Sequence, residues 1–421
     1  MQIQLDYGTN GLRVELPDGR AEIVDIKPVP ALADAVGAIE SALERPSGTR
    51  PLHEIARGKQ APCIVVSDVT RPVPNRVLLP PVLAALESAG VPRERITILF
   101  ATGLHRPMSE QETAASVGED VARAYRIVNH LGKDRSTNTL VGKTASGIPA
   151  WLDNTYLASD LRILVGLVEP HVMAGYSGGP KSVAIGLSTE DTIRFLHGPR
   201  IMEHPMTRAG QIKDNLLQKE LHEIAAFAPA SFVVNVTLSR DRRITGVFAG
   251  DAEAAHREAI DFIESYARVR TGRAFDVVLT TNAGSPLDIN FYQCVKGMLT
   301  AARIVKKGGT IVMAARCPEG LGSDEFSKLM VSFPSTEQAM KTILDPTFFA
   351  IDQWAVEQVC QVREQAEILF YSEGISAETL RQCFVTPVAS VEEGLRMALE
   401  KHGRGASIAV IPKGPYVIAE V

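Results

Sequence analysis

The sequence has little of what disulfide-stabilised, membrane-spanning or polyanion-binding proteins need. Its five cysteines are scattered, odd in number and without a C-x-x-C pair, so they predict neither a disulfide framework nor a thiolate zinc site. No apolar run approaches the roughly 20 residues that cross a bilayer, and the N-terminus alternates like a hairpin rather than a signal peptide. The net charge of −5 gives no general attraction to nucleic acid or anionic membranes. We therefore expect a cytoplasmic protein with no nucleic-acid or membrane partner.

What the chain does contain is a regular alternation of short apolar runs and helix-like segments. At 421 residues it exceeds what one hydrophobic core usually accommodates. We predict an α/β fold of two domains, with mainly parallel sheets flanked by helices and the active site in the cleft between them. Residues 1–270 would form a cofactor-binding and catalytic domain, and residues 271–421 a domain contributing substrate-binding residues. The predicted strands are 63–68, 96–103, 162–168, a hairpin of 231–239 with 244–250, then 275–282, 309–317, 367–372 and 406–412.

Four of the predicted strands end in small, polar or charged residues. Asp68 and Arg71 follow the first, His105 the second and His171 the third, while the fourth ends at 282–286 in the second domain. Open α/β sheets bind ligands at the carboxyl ends of their strands. If these ends share one sheet edge, the four charged or titratable side chains converge on one site.

The stretch "VEPHVMAGYSGGPKSVAIG", residues 168–186, is similar to a phosphate-binding P-loop but departs from it. Pro180 stands where the loop needs a second glycine, and proline has no N–H to offer a phosphate. Six residues, 169–174, also separate the preceding strand from the loop, so a P-loop NTPase is disfavoured. The turn of Ser177, Gly178 and Gly179 can still hold a single phosphate on its N–H groups, with Lys181 beside the bound group.

A histidine and an amide–amine pair add further candidates outside the strand ends. His197 ends the helix predicted over 188–199, as a cation that stabilises the helix dipole or as a ligand at the helix tip. His204 is ambiguous in the same way, and His256 is interpreted as lying in a polar stretch of helix. Gln293 and Lys296 are three residues apart on a predicted helix, a pairing that suits a substrate carboxylate.

Four segments taken in order resemble the nickel-dependent lactate racemase family, the racemases and epimerases that use a nickel-pincer nucleotide. They are "SDVTRPVP", "ATGLHRP", "GLVEPHVMAGYSGGPKSVAIG" and "FLHGP", and the resemblance runs from about Asp68 to about Trp354. It implies a cofactor derived from nicotinic acid mononucleotide, linked through a thioamide to Lys181 in some members. It also implies cofactor-maturation enzymes as partners.

The family's functional residues carry over by position. The resemblance makes His105 and His171 the acid/base pair and His197 the nickel ligand, with His204 fitting the spacing less well. It associates Lys181, Asp68, Ser177, Gly178 and Gly179 with the cofactor. It associates Arg71, Tyr292, Gln293, Lys296 and Trp354 with the substrate.

These residues predict inversion of C2 in a 2-hydroxy acid such as lactate or malate by reversible proton-coupled hydride transfer. A histidine with a pKa of about 6.5 is too weak to remove the α-proton of such an acid directly. Moving a hydride to a cofactor avoids the carbanion, and two histidines on opposite faces exchange the hydroxyl proton. The alternatives are a C2 epimerase of a larger sugar acid, a non-catalytic nickel-cofactor-binding protein and a P-loop enzyme. An arginine facing the pocket, Arg106 or Arg316, would favour a dicarboxylate such as malate.

Overall fold

The structure, a computed structural model, describes residues 1–16, 20–239 and 241–421. Strands and helices alternate along most of it. The strands are β1 Gln2–Leu5, β2 Leu12–Glu15, β3 Ala21–Ile23, β4 Pro62–Ser67, β5 Thr97–Ala101, β6 Arg126–Asn129, β7 Asn138–Lys143, β8 Pro149–Asp153, β9 Leu161–Leu167, β10 Pro170–His171, β11 Gly175–Tyr176, β12 Phe232–Leu238, β13 Ile244–Gly250, β14 Arg268–Arg270, β15 Phe275–Thr281, β16 Val305–Ala314, β17 Ala366–Tyr371, β18 Thr386–Pro387, β19 Ile408–Ile411 and β20 Ile418–Glu420.

Helices cover the faces of the sheets and connect successive parallel strands. They are α1 Ala35–Glu44, α2 Leu52–Ala56, α3 Asn75–Ser88, α4 Glu110–Val117, α5 Glu119–Ala124, α6 Asn154–Leu157, α7 Pro180–Ala184, α8 Glu190–Leu196, α9 Pro199–Met202, α10 Leu216–Ala226, α11 Ala252–Ala267, α12 Phe291–Ala302, α13 Asp324–Ser332, α14 Thr336–Ile343, α15 Gln353–Gln365, α16 Ala377–Gln382 and α17 Val391–His402. In the described part of the chain, no helix combines the length and the apolar character needed to cross a membrane.

The chain divides into two compact units. The N-terminal unit comprises Pro28–His197 and His204–Ser265, and the C-terminal unit comprises Met1–Lys27, Gly198–Glu203 and Tyr266–Val421. Each is built on a six-stranded, mainly parallel sheet, so the predicted α/β fold class is confirmed.

The N-terminal sheet has the order β13-β12-β9-β4-β5-β6, with only the β12–β13 pair antiparallel. Its central strand β4 is apolar and buried because helices cover both faces of a parallel sheet. Val66 pairs with Val165 of β9 on one side, and Ser67 pairs with Ala101 of β5 on the other. The carboxyl ends of β9, β4 and β5 therefore lie side by side.

The C-terminal sheet has the order β18-β17-β16-β15-β19-β3 and is parallel throughout. Its edge strand β3 comes from the start of the chain, because Ala21 pairs with Ile408 and Asp25 accepts from Lys413 at 2.9 Å. The predicted N-terminal domain, residues 1–270, included residues 1–27, whereas in the structure these residues belong to the C-terminal unit.

Most predicted elements occur within a few residues of their expected positions, including both hairpins. A capping box of Ser109 and Glu112 begins α4. The helix predicted over 188–199 ends earlier, at Leu196 of α8, and Pro199 begins α9, because proline at the first helical position needs no N–H. The fourth polar strand end, at 282–286, follows β15 and so lies in the C-terminal sheet, apart from the other three strand ends.

Truncating the centre of β4 tests the packing that positions the site. We expect Ile64→Ala to lower the unfolding free energy of the N-terminal unit by about 2–5 kcal/mol, since Ile64 is fully buried in its core. Leu140→Ala, at a side chain 44% exposed, is the control and should change it little. The measurement is urea unfolding in a Trp354→Phe background, followed by the fluorescence of Trp151. Because Trp151 lies in the N-terminal unit and Trp354 in the other, this signal reports the unfolding of the N-terminal unit alone. Equal losses in the two variants would contradict the prediction.

Candidate active site

Asp68 and His105, which follow the adjacent strands β4 and β5, form a close pair. His105 Nδ1 lies 2.6 Å from Asp68 Oδ2, while Asp68 Oδ1 accepts from the backbone N–H and the hydroxyl of Thr70 at 3.0 and 2.5 Å. Asp68 is buried, whereas the His105 side chain is 54% exposed. Burial raises the pKa of Asp68, but the contacts with His105 and Thr70 outweigh it and hold that pKa below its usual value. The carboxylate is therefore ionised at neutral pH and orients the histidine.

Arg71 and Glu169 join the ends of β4 and β9. Arg71 Nη1 lies 3.2 Å from Glu169 Oε1, and both side chains are largely buried. Sequence reasoning did not nominate Glu169 as a site residue, although it stands two residues after β9 at the same sheet edge. The strand-end rule that identified His171 would also have found it.

His171 lies in a small hairpin formed by β10 and β11 after the end of β9. Its ring is buried, and Nδ1 accepts the N–H groups of Met173 and Ala174 at 3.3 and 3.1 Å. The turn is itself fixed by α10, because Asn215 Nδ2 donates to Met173 O at 2.8 Å and Gln218 Nε2 donates to Ala174 O. These backbone groups therefore fix the side of the His171 ring that carries Nδ1.

The glycine turn after this hairpin leaves two backbone donors without a protein acceptor. Gly178 and Gly179 have φ values of 75° and 53° and are buried, and in the described ranges neither N–H donates to an acceptor. Successive N–H groups in such a turn suit an anion or a polar ligand. The Ser177 hydroxyl is already engaged, since it donates to Leu167 O at 2.9 Å and accepts from Glu169 N at 3.0 Å.

His256 supports this turn from α11. Its Nε2 donates to Ser177 O at 2.9 Å, and a Cβ added to Gly179 would come within 2.4 Å of the ring. Burial lowers the pKa of His256 to about 4, so it is neutral. The interpretation of His256 as a residue in a polar stretch of helix was wrong, because its side chain is buried. Its spacing with Ile260 and Ile263 marks it as part of the buried face of α11 and was the signal available in the sequence.

His197 caps the C-terminal end of α8 in a form suited to metal binding. Nδ1 donates to Ile193 O at 3.0 Å, which leaves the lone pair on Nε2. Burial, followed by the nearby charge of Lys181, lowers the pKa of His197 to about 4 although the bond to Ile193 opposes this. A neutral imidazole is not the dipole-stabilising cation that was one of the two alternatives, and the ligand role stays a prediction. In His204, the alternative, Nδ1 accepts from Met206 N at 3.3 Å.

Four of the five predicted substrate residues, all except Arg71, lie on α12 and α15 of the C-terminal unit. Lys296 Nζ donates to Gln293 Oε1 at 2.5 Å, and Trp354 Nε1 donates to Tyr292 Oη at 3.0 Å. Asn290 caps α12 and accepts from Gln293 N at 3.0 Å, fixing the turn that carries these groups. The predicted site residues therefore form two groups, one in each compact unit.

Comparison with known proteins assigns the chain to a family. Residues 7–210 match the lactate racemase N-terminal domain, and residues 271–419 match the lactate racemase C-terminal domain. The lactate racemase of Lactiplantibacillus plantarum is 34% identical over 91% of this chain and 90% of its own length. The chain belongs to the lactate racemase family. It is therefore an isomerase of the racemase type, as the sequence predicted.

Further members and solved structures agree with this assignment. The lactate racemase of Thermoanaerobacterium thermosaccharolyticum is 31% identical over 99% of this chain and 98% of its own. The apoprotein structure from that organism has a TM-score of 0.93, with 32% identity and complete coverage of both chains. A Thermotoga maritima protein, at 17% identity, shares the fold with a TM-score of 0.71 over 92% of this chain and 98% of its own.

Substituting the glycine that contacts His256 tests how tightly the turn is built. We expect Gly179→Ala to destabilise the N-terminal unit by about 1–3 kcal/mol more than Gly58→Ala, measured by thermal unfolding. Gly58 also has a positive φ, 75°, but its added Cβ would meet nothing within 4 Å, so it controls for backbone strain alone. In a His256→Ala background the extra loss should shrink, and an unchanged difference there would argue against the contact.

Proposed function

We propose that this racemase interconverts the enantiomers of lactate or a closely related short 2-hydroxy acid. The observation that carries the proposal is the pairing of Asp68 with His105. These residues follow strands beside β9, and the chain that continues from β9 carries His171. An acid/base pair at neighbouring strand ends is what exchange of a hydroxyl proton needs. Two relatives of nearly the same length are lactate racemases, which supports lactate as the first substrate to test.

His105 is the group best placed to receive the hydroxyl proton of the substrate. Asp68 holds its Nδ1–H, so the Nε2 lone pair is available, and the imidazolium formed on protonation remains paired with the buried carboxylate. The side chain is 54% exposed, which permits contact with a small substrate. His171 would serve on the second face, where its Nε2 is the nitrogen not engaged by Met173 and Ala174.

The residues around the glycine turn fit a nickel-pincer nucleotide. His197 would ligate nickel through Nε2, since neutral imidazole is a good nickel ligand and its Nδ1–H is held by Ile193. The N–H groups of Gly178 and Gly179 would hold its phosphate or ribose, and Lys181 would bind its pyridine end, covalently in the form we propose. When bound, this cofactor would supply the acceptor for the hydride on C2.

Asp68, which the resemblance associates with the cofactor, has both carboxylate oxygens engaged within the described chain. These contacts favour Asp68 as the residue that orients His105 over a residue that binds the cofactor directly.

Lys296 and Gln293 would hold the substrate carboxylate, with Tyr292, Trp354 and Arg71 completing the contacts. The ammonium and amide share one face of α12 and are already hydrogen-bonded, so they present a preformed cationic donor pair. The two arginines nominated for a second carboxylate have other partners. Arg106 pairs with Glu112, and Arg316 lies 3.8 Å from Glu373, so their contacts favour a monocarboxylate over malate.

Nickel content of the chain, co-produced with the cofactor-maturation enzymes, tests the cofactor. We expect near-stoichiometric nickel by elemental mass spectrometry in the parent and in His204→Ala, and a large loss in His197→Ala. His53→Ala, which removes a half-buried histidine paired with Glu44, is the control and should keep its nickel.

The outcomes separate the two nickel-ligand assignments. If His204→Ala lost its nickel and His197→Ala kept it, His204 rather than His197 would be the nickel ligand. No nickel in any variant, while a known lactate racemase made in the same cells is loaded, would overturn the nickel-pincer proposal. Racemisation of lactate, malate and sugar acids, followed by chiral chromatography on the loaded parent, then determines the substrate, and we expect activity on lactate.

Removing the charge of Lys296 tests the carboxylate site. We expect Lys296→Gln to raise KM for lactate about tenfold to a hundredfold, because a hydrogen bond to a charged group contributes roughly 1.5–3 kcal/mol. Lys306→Gln, whose ammonium pairs with Asp276 at 2.8 Å on the surface, is the matched control and should leave KM unchanged. Equal KM values in the two variants would exclude Lys296 from substrate binding.

A further inference from the structure

The two acid/base histidines bond opposite kinds of partner through the same ring nitrogen. His105 Nδ1 lies 2.6 Å from the carboxylate of Asp68, which can only accept, so this nitrogen carries a hydrogen. His171 Nδ1 receives the N–H groups of Met173 and Ala174, so this nitrogen carries none. In the neutral rings the Nε2 of His105 has the lone pair, and the Nε2 of His171 has the hydrogen.

We infer that His105 and His171 are held in opposite tautomers, with Asp68 as the positioning residue for His105 and the backbone of 173–174 for His171. In this arrangement neutral His105 accepts a proton at Nε2, while neutral His171 donates a hydrogen bond from Nε2. The two histidines are therefore not interchangeable, in contrast to the symmetric acid/base pair expected from the sequence.

Both arrangements are built into buried structure. Asp68 is 5% exposed, and its second oxygen is held by Thr70, so the carboxylate cannot easily turn away from His105. The turn below His171 is fixed by Asn215 and Gln218 of α10, whose amide groups donate to the carbonyls of Met173 and Ala174. Exchanging the proton between the ring nitrogens of His171 would cost both N–H contacts.

The same contacts decide which ring carries positive charge. A proton added to His105 Nε2 leaves Nδ1–H on Asp68, and the imidazolium is then paired with an anion. A second proton on His171 would have to enter at Nδ1, against the N–H groups of Met173 and Ala174. The structure therefore assigns the imidazolium to His105 and a neutral donor role to His171.

The consequence for catalysis rests on the proposed function. For the enantiomer whose hydroxyl faces His105, the O–H bond would break and an N–H bond would form at Nε2, and the proposed cofactor would supply the acceptor for the C2 hydride. A hydroxyl that faces His171 meets an N–H at Nε2, so His171 could accept its proton only after its own ring proton had moved, by way of solvent, from Nε2 to Nδ1 and displaced the N–H groups of Met173 and Ala174. Since enantiomers have equal free energies in water, kcat/KM must be equal for both. Where the histidine protonation states limit turnover, the asymmetry would appear as compensating differences in kcat and KM.

Nitrogen-15 NMR of the protein with ring-labelled histidine tests the tautomers directly, without cofactor or substrate. Two-bond proton–nitrogen correlations at mildly alkaline pH distinguish protonated from unprotonated ring nitrogens, and His105→Gln and His171→Gln assign the two rings. We expect the Nδ1–H form for His105 and the Nε2–H form for His171. The same tautomer in both rings, or rapid averaging in either, would overturn the inference.

A positioning role for Asp68 predicts a change confined to one ring. We expect Asp68→Ala to move His105 toward the Nε2–H form and to leave His171 unchanged, while the control Glu94→Ala, at an exposed carboxylate, alters neither. An unchanged His105 pattern would overturn that role, and the parent spectrum decides the tautomers if Asp68→Ala does not fold. Because no turnover is involved, failure here with intact lactate racemisation would refute the inference and leave the proposed function standing.

Discussion

The parallel pairing of β4 with β9 on one side and β5 on the other is the constraint on which the N-terminal site depends. Parallel strands in register bring their carboxyl ends to one edge, and the residues that follow β4 and β5 are then close enough to bond. The Asp68–His105 and Arg71–Glu169 contacts each join two of these ends. A shift of one residue in β4 would turn its side chains to the opposite face and separate both pairs.

Once the strand ends are fixed, the chemistry of each histidine follows from the group on its other ring nitrogen. A carboxylate holds Nδ1 of His105, backbone N–H groups hold Nδ1 of His171, and a backbone carbonyl holds Nδ1 of His197. In the neutral rings, the first contact leaves a lone pair on Nε2 of His105 and the second places a hydrogen on Nε2 of His171. The third leaves a lone pair on Nε2 of His197, the atom that would ligate nickel in the proposed function. Side chains of one type are thereby prepared for different tasks by hydrogen bonds alone.

Local patterns predicted much of this, and spatial partners account for the rest. The alternation of apolar and polar residues identified the strands, and the rule that ligands bind at strand ends identified Asp68, Arg71, His105 and His171. The join of β3 to β19 depends on a pairing between residues almost 400 positions apart, which no local pattern encodes. The bond from His256 to Ser177 O likewise links α11 to a turn 79 residues earlier. The tautomers needed the positions of individual N–H groups around the rings.

Burial separates the histidines by role more clearly than sequence context does. His197 and His256 are each about 5% exposed, and burial lowers both pKa values to about 4, so both stay neutral. His256 supports the glycine turn, and His197 is the residue that we propose as the metal ligand. The side chain of His105 is ten times more exposed and faces a buried carboxylate. A ring that must gain and lose a proton needs solvent or substrate on one side and a fixed counter-charge on the other. Asp68 supplies the fixed counter-charge because Thr70 holds its carboxylate in place and its position at the end of β4 buries it.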